Sequence, residues 1–194
     1  MRIVACMMAS SQHRTGVTRS HRITTFAGFN RRAPLVIVGG FPGEWEAEHP
    51  YDTIERTGAQ DVYLAGWHDH HELADILAAT DVIVLPSVRE QFGQVLVEGM
   101  ACGLPPIAVD AYGPADIVDH GETGWLVEPD DILSLANALV ESVNRPGERR
   151  RRGAKAVAAA HERYAWPALA KRVARIYEDT ADARSLRENA ALSG

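Results

Sequence analysis

From residue 35 onward, short apolar runs alternate with stretches of helical period. The runs LVIV (35–38), VYLA (62–65), VIVL (82–85), IAV (107–109) and WLV (125–127) are each bounded by Gly, Pro or Asp, which is the length and punctuation of strands. Apolar residues fill these runs without polar alternation, so both faces of each strand require cover. Helices are predicted between them, over about 51–57, 70–79, 93–102, 114–119 and 131–143. Such alternation predicts an α/β fold: one Rossmann-like, doubly wound parallel sheet with helices on both faces. After residue 145 the strands stop and two helical stretches follow, 147–164 and 167 to about 187. The pair Trp166-Pro167 marks the start of the second, because proline is tolerated in a first turn. There is no internal repeat and no low-complexity tract.

Length and composition sharpen this picture. A chain of 194 residues fits one ordinary domain and buries roughly 70% of its unfolded surface, enough for a core without staples. Its two cysteines, Cys6 and Cys102, lie far apart with no CxxC spacing, which speaks against a disulfide scaffold and a zinc site and for a reducing, cytoplasmic setting. No run approaches the ~18 apolar residues of a membrane span. The net charge of -6 hides a segregation: residues 1–34 carry six arginines and no acid, residues 35–131 carry 19 acids against Arg56 and Arg89 alone, and residues 132–194 carry 12 Lys and Arg against seven acids. So acidic a middle is a poor nucleic-acid surface, since phosphate contacts need clustered cations.

Residues 1–34 are expected to form a partly ordered, Arg-rich extension. Their composition also suits a transit peptide, and IVACMMA is a short apolar run after Arg2, at the lower limit for a secretory signal and without a cleavage motif. Four consecutive arginines, Arg149 to Arg152, admit a membrane-surface or anionic-partner reading, against which a solvated helix face is the default. Residues 165–194 form a C-terminal helix and tail.

In open parallel sheets the chemistry sits beyond the carboxyl ends of the strands. The loop after VIVLP reads Ser87-Val88-Arg89-Glu90-Gln91-Phe92-Gly93 and then enters a helix. Gly93 has no side chain to block a ligand, and the free N–H groups of the following turn, with the helix dipole, make an anion site suited to a phosphate or diphosphate. Glu98, five residues on, lies roughly 7 Å down the helix axis, about one sugar ring away. Its carboxylate can accept hydrogen bonds from adjacent hydroxyls such as a ribose diol. Glu90, outside the first turn, is placed for hydroxyls on the other side of the anion. Two carboxylates flanking a helix-bound diphosphate suit a nucleotide sugar.

Those residues carry a resemblance. EQFGQVLVEGMACGLPPIAVD, with seven residues between Glu90 and Glu98 as an E-x7-E pair, resembles the donor-binding half of the retaining GT-B glycosyltransferases of glycosyltransferase family 4. The similarity runs from about Leu35 to Tyr177 through LVIVGG, VYLAGW, ELADILAATDVIVLPS, YGPADIV and HGETGWLVEPDD; this ordered series is specific where the spacing alone would not be. It makes residues 35–164 a nucleotide-sugar-binding domain. It implies that Glu98 holds the ribose hydroxyls and Glu90, the candidate catalytic residue, a hydroxyl of the transferred sugar. Phe92, Gly93 and Gln94 would offer backbone N–H groups to the sugar and diphosphate. Ser87 joins the donor site, and Gly66, Trp67 and His68 would meet the nucleobase.

The resemblance further implies no cofactor and no metal, a UDP-, GDP- or ADP-linked donor, and front-face transfer in which the departing diphosphate oxygen takes the acceptor's proton. The chain departs from the family in lacking its G-R-x-x-x-x-K-G loop, whose cations clamp the diphosphate, and in placing Asp116 where a GGxxE motif has Glu. The first 34 residues are too few for an acceptor domain, so weak donor binding and little or no transfer by this chain alone are expected, with an acceptor domain on another chain or self-association as partners. A non-catalytic nucleotide-binding module and a GT-B-like sugar-nucleotide epimerase stand as alternatives.

Other features have plainer readings. His68, His70 and His71 with Asp69 suggest a metal, yet Asp69-x-x-Glu72 is a capping box. Gly39-Gly40 with Gly43 lacks the order of a dinucleotide fingerprint. Cys102 is expected in the core, and Trp125 and Trp166 as packing residues.

Overall fold

The computed structural model describes residues 1–6, 33–39 and 49–192. Six parallel strands form one sheet: β1 (Ile3–Cys6), β2 (Leu35–Val38), β3 (Val62–Gly66), β4 (Val82–Leu85), β5 (Pro106–Val109) and β6 (Trp125–Val127), in the order β3-β2-β1-β4-β5-β6. The helices are α1 (Pro50–Thr57), α2 (His70–Ala78), α3 (Gln94–Ala101), α4 (Tyr112–Ile117), α5 (Ile132–Asn144), α6 (Pro146–Tyr164) and α7 (Trp166–Leu192).

Strands β4 and β5 are covered on both faces as their composition requires, whereas β3, at the edge of the sheet, leaves Tyr63 and Leu64 exposed. In β4, Val82 and Val84 enter one core with Leu35, Ile37, Ile107, Val109 and Trp125, covered by Ala138 and Leu139 of α5. Ile83 and Leu85 enter the other, with Val95, Leu96 and Met100 of α3, Ile117 of α4 and the alanines 156, 159 and 160 of α6. The period of two thus sends successive apolar side chains to opposite cores. Leu96 and Met100 are fully enclosed, each burial contributing about 1.5–3 kcal/mol.

The sequence reading is corrected at β1. Ile3–Cys6, read as part of an extension outside the sheet, is an inner strand paired with both β2 and β4. The backbone amide of Arg2 donates to the Asp81 carboxylate at 2.7 Å, and Asp81 returns its own amide to the Arg2 carbonyl at 2.9 Å. A four-residue run carries little local signal; its partners, 32 and 79 positions away, supply the stability. The remainder of the Arg-rich stretch, together with Gly40 and Gly43, lies outside the described residues.

A second correction concerns the arginine run. Arg152 is buried, its guanidinium 4.1 Å from the centre of the Trp125 ring; it donates to the Gly124 carbonyl at 2.8 Å and pairs with Glu141 and Glu148 at 3.4 Å. Arg149 donates to the Ser142 carbonyl at 2.7 Å, and Arg151 to Glu148 at 2.9 Å. Only Arg150 of the four is exposed. The α5–α6 corner brings carboxylates and carbonyls to these cations, which composition could not show.

Trp125 is a packing residue, as expected, although its indole N–H is buried without an acceptor among the described residues. Trp166 is not: it is almost wholly exposed. No described helix is long and apolar enough to cross a membrane.

Candidate functional site

The strand order reverses direction between β1 and β4: chain connections run outward on one side to β2 and β3, and on the other to β5 and β6. A crevice opens beyond the carboxyl ends of the strands at such a switch point. The loop from Pro86 to Gly93 leaves β4 there and enters α3.

Local geometry sets its shape. The Ser87 hydroxyl is 3.4 Å from the Arg89 amide, so Ser87 helps turn the loop. Gly93 is the N-cap of α3 with φ 91°, in the left-handed region, and provides no side-chain cap. Only glycine adopts this conformation freely, and a Cβ would also lie 3.2 Å from Leu96 Cδ1. The Glu90 carboxylate fills the capping role: its Oε1 accepts from the Gly93 amide at 3.0 Å and from the Phe92 amide at 3.3 Å. Two of the amides expected to meet a donor therefore already hold an anionic oxygen. The dipole of α3 adds to the attraction of these amides for a negatively charged oxygen.

One turn into α3, Glu98 accepts from the Gln94 side-chain nitrogen at 2.9 Å. The i, i+4 spacing that places both on one side also fixes the carboxylate, whose side chain is 30% exposed. His70, at the start of α2, brings Nδ1 to 3.7 Å from Glu98 Oε1. The β3–α2 connection thus reaches the same face of α3. It contains Gly66 with φ 77°, Trp67 with an exposed ring, and His68.

Asp69 caps α2 through the amides of His71 and Glu72, both at 2.9 Å, completing a capping box with Glu72. His68 is held by the Glu72 carboxylate and the Ala65 carbonyl, each at 3.1 Å. That histidine contributes to the loop's shape, and its ring nitrogens face protein oxygens. No group of three metal-ligating side chains occurs among the described residues.

Three neighbours of the site were not foreseen. Gly113, after β5, lies against the loop so closely that a Cβ would be 2.4 Å from the Gln91 carbonyl oxygen, the Phe92 Cα and the Phe92 carbonyl oxygen. The preceding Tyr112 stands at φ 50° with an exposed ring, in the first position of the GGxxE-like stretch, where glycine would be unstrained. Tyr164, ending α6, meets Phe92 edge to face at 6.1 Å, and burial pushes its phenol pKa up. Asp116, the departure from that motif, is exposed. HGETGWLV is structural here: a Cβ at Gly124 would lie 2.3 Å from the Pro106 carbonyl oxygen.

Cys102 requires correction, being exposed at the C-cap of α3 rather than in the core. Partial desolvation, and then the Glu98 carboxylate, push its thiol pKa up. A raised pKa lowers the thiolate fraction near neutral pH. Alkylation by iodoacetamide should therefore be slower than for an ordinary exposed thiol, and faster in a Glu98→Gln variant. Equal rates in both would exclude the carboxylate as a cause.

Comparison with known proteins agrees with this geometry. Residues 21–159 match the family described as glycosyl transferases group 1, and the chain belongs to that family. Its fold is the Rossmann-like half of a GT-B glycosyltransferase. Among relatives, it is 39% identical over 149 residues to the D-inositol 3-phosphate glycosyltransferase of Streptosporangium roseum, covering 75% of this chain and 34% of that protein. The sucrose-phosphate synthase of Thermosynechococcus elongatus superimposes with a TM-score of 0.69 at 31% identity, over 78% of this chain and 39% of that one. Anabaena HepE in complex with UDP and glucose shares the fold, with a TM-score of 0.73 at 23% identity over 91% of this chain and 48% of the other. The chain spans about a third of the length of the curated relatives it matches.

Proposed function

We propose that this chain binds a nucleotide-sugar donor and supplies the donor half of a glycosyltransferase that retains anomeric configuration, as in glycosyltransferase family 4. One observation carries the reading: the Glu90–Gly93 loop stands at the β1/β4 switch point, with anion-holding amides at its end and Glu98 one turn beyond. Donor oxygens replace Glu90 Oε1 at the Phe92 and Gly93 amides, with Gln94 adding its own. The released Glu90 carboxylate then accepts a hydroxyl of the transferred sugar. Glu98, already oriented by Gln94, accepts the ribose diol. Trp67 and His68 border the nucleobase, which is uracil, guanine or adenine, and Ser87 keeps the loop in position.

In transfer, the bond between the anomeric carbon and the diphosphate oxygen breaks while the acceptor oxygen bonds to the same face. The acceptor's proton passes to the departing oxygen, so no protein nucleophile is consumed. The chain's contribution is the fixed amides and dipole at the start of α3, which stabilise the leaving charge. No metal or cofactor is invoked.

These residues span about a third of the length of their relatives, and by themselves they would act as a nucleotide-binding module. Calorimetric titration with UDP-, GDP- and ADP-sugars tests the reading. Binding of one of them is expected, weakened by Glu98→Ala by about 1–3 kcal/mol, or about 5- to 150-fold in Kd. Folded protein that binds none at millimolar concentration would end it. Donor turnover to an epimer without an acceptor would instead assign an epimerase.

A further inference from the structure

Three histidines surround the start of α2, and one of them has no structural task. His68 has both ring nitrogens engaged, by the Glu72 carboxylate and the Ala65 carbonyl. His71 is exposed one position further along the helix than His70. The His70 side chain is itself 83% exposed, and the polar group that it approaches is the Glu98 carboxylate, with Nδ1 3.7 Å from Oε1.

Both sides of that gap are held in place. Asp69 caps α2 through the amides of His71 and Glu72, so His70 projects from an anchored first turn. Gln94 holds Glu98 Oε1 at 2.9 Å from within α3.

A separation of 3.7 Å is too long for a hydrogen bond, but it fits one bridging oxygen, about 2.8 Å from each partner, with neither side chain moving. A hydroxyl suits the place because it donates through its one hydrogen and accepts on its oxygen. Glu98, an acceptor only, takes the hydrogen. The imidazole with Nδ1 protonated donates to the oxygen. A carboxylate has about four acceptor positions, so Gln94 and both hydroxyls of a diol are accommodated together. In the free protein a water fits the gap, and a ligand hydroxyl that displaces it keeps both hydrogen bonds.

The order along the chain agrees. In the proposed donor complex Trp67 and His68 border the nucleobase, and His70, two residues beyond His68, reaches the carboxylate that takes the attached pentose.

We propose that His70 is a ribose-binding residue, whose Nδ1–H donates to the oxygen of one ribose hydroxyl while that hydroxyl donates to Glu98 Oε1. The inference rests on the donor reading of the β4–α3 site and adds a specificity to it: a nucleotide is told from its deoxy form by a hydroxyl held at both its hydrogen and its oxygen.

Calorimetry of the full chain with UDP, GDP and ADP, and with the 2′-deoxy and 3′-deoxy forms of the one bound best, tests it. His70→Ala should weaken the ribonucleotide about five- to tenfold, the size of one hydrogen bond. It should weaken one of the two deoxy forms by less than about twofold, since that form already lacks the bridging hydroxyl. His70→Asn, which keeps an N–H donor near the Nδ1 position, should recover most of the loss. His71→Ala is the control and should bind as the wild type does. Circular dichroism establishes that each variant folds. Full affinity in His70→Ala, with Glu98→Ala still impaired, overturns this inference alone and leaves the donor reading standing. So do equal losses for the ribose, 2′-deoxy and 3′-deoxy forms, which would make His70 a support for Glu98 rather than a ligand of the ribose. Failure of asparagine to recover any affinity in a folded variant also overturns it. A folded wild-type chain that binds no nucleotide ends both readings.

Discussion

Replacing Arg152 with alanine should lower stability by about 2–4 kcal/mol, the largest loss expected from any single side chain on α6. The guanidinium is buried over the Trp125 ring and satisfies the Gly124 carbonyl while reaching Glu141 and Glu148. Its removal leaves a buried carbonyl unsatisfied, at about 1–3 kcal/mol, and forfeits a desolvated cation–π contact of about 2 kcal/mol. The two carboxylates add less. Both are about one third exposed, Glu141 keeps Arg145 at 3.5 Å, and Glu148 keeps Arg151 at 2.9 Å. Hydrogen bonding to Arg151 is also the main cause that holds the Glu148 carboxyl pKa below its ordinary value. Urea denaturation should show a lower midpoint with an unchanged slope. Arg152→Lys should recover less than half of the loss, because an ammonium keeps the charge but loses the planar fork and the ring stacking. Full recovery by lysine would mean that charge alone holds the corner.

Gly113→Ala has the second large expected effect, this time on the site. A new Cβ would sit 2.4 Å from three backbone atoms of Gln91 and Phe92, which cannot rotate away as a side chain could. Either α4 or the Glu90–Gly93 loop must shift. Overpacking of this kind costs about 1–3 kcal/mol in stability, and a displacement near 1 Å in the loop would misalign the amides that Glu90 now occupies. Donor affinity should fall at least about tenfold, equivalent to about 1.4 kcal/mol. Gly153→Ala is the control. Its Cβ would lie 2.3 Å from the Gly103 carbonyl oxygen, at the α3–α6 contact and away from the loop, so it should destabilise the fold and preserve nucleotide affinity. Equal affinity losses in the two variants would remove the special position given to the 90–93 loop.

Much of this architecture is written in short stretches of chain. Strands such as VIVL announce themselves because residues apolar on both faces fit only a covered sheet, and Asp69 with Glu72 announces a helix start through a box that closes within four residues. The Gln94–Glu98 pair was readable for the same reason, as helical spacing settles it. Cys102 and Trp166 were misread because their expected burial rested on residue type. Whether a neighbouring element covers a side chain depends on how far that element extends, and α7 turns away from the domain where the composition of Trp166 suggests packing.

The amino-acid order by itself determined the α/β class, the helix starts, the loop ending at Gly93 and the two carboxylates eight positions apart, since each depends on interactions within a few residues. The tertiary structure decided the rest. It placed Ile3–Cys6 between β2 and β4, drew His70 to Glu98, pressed Gly113 against Phe92 and enclosed Arg152. Those outcomes depend on parallel pairing and helix packing between distant segments, whose free energy arises only when the sheet and its two cores form together.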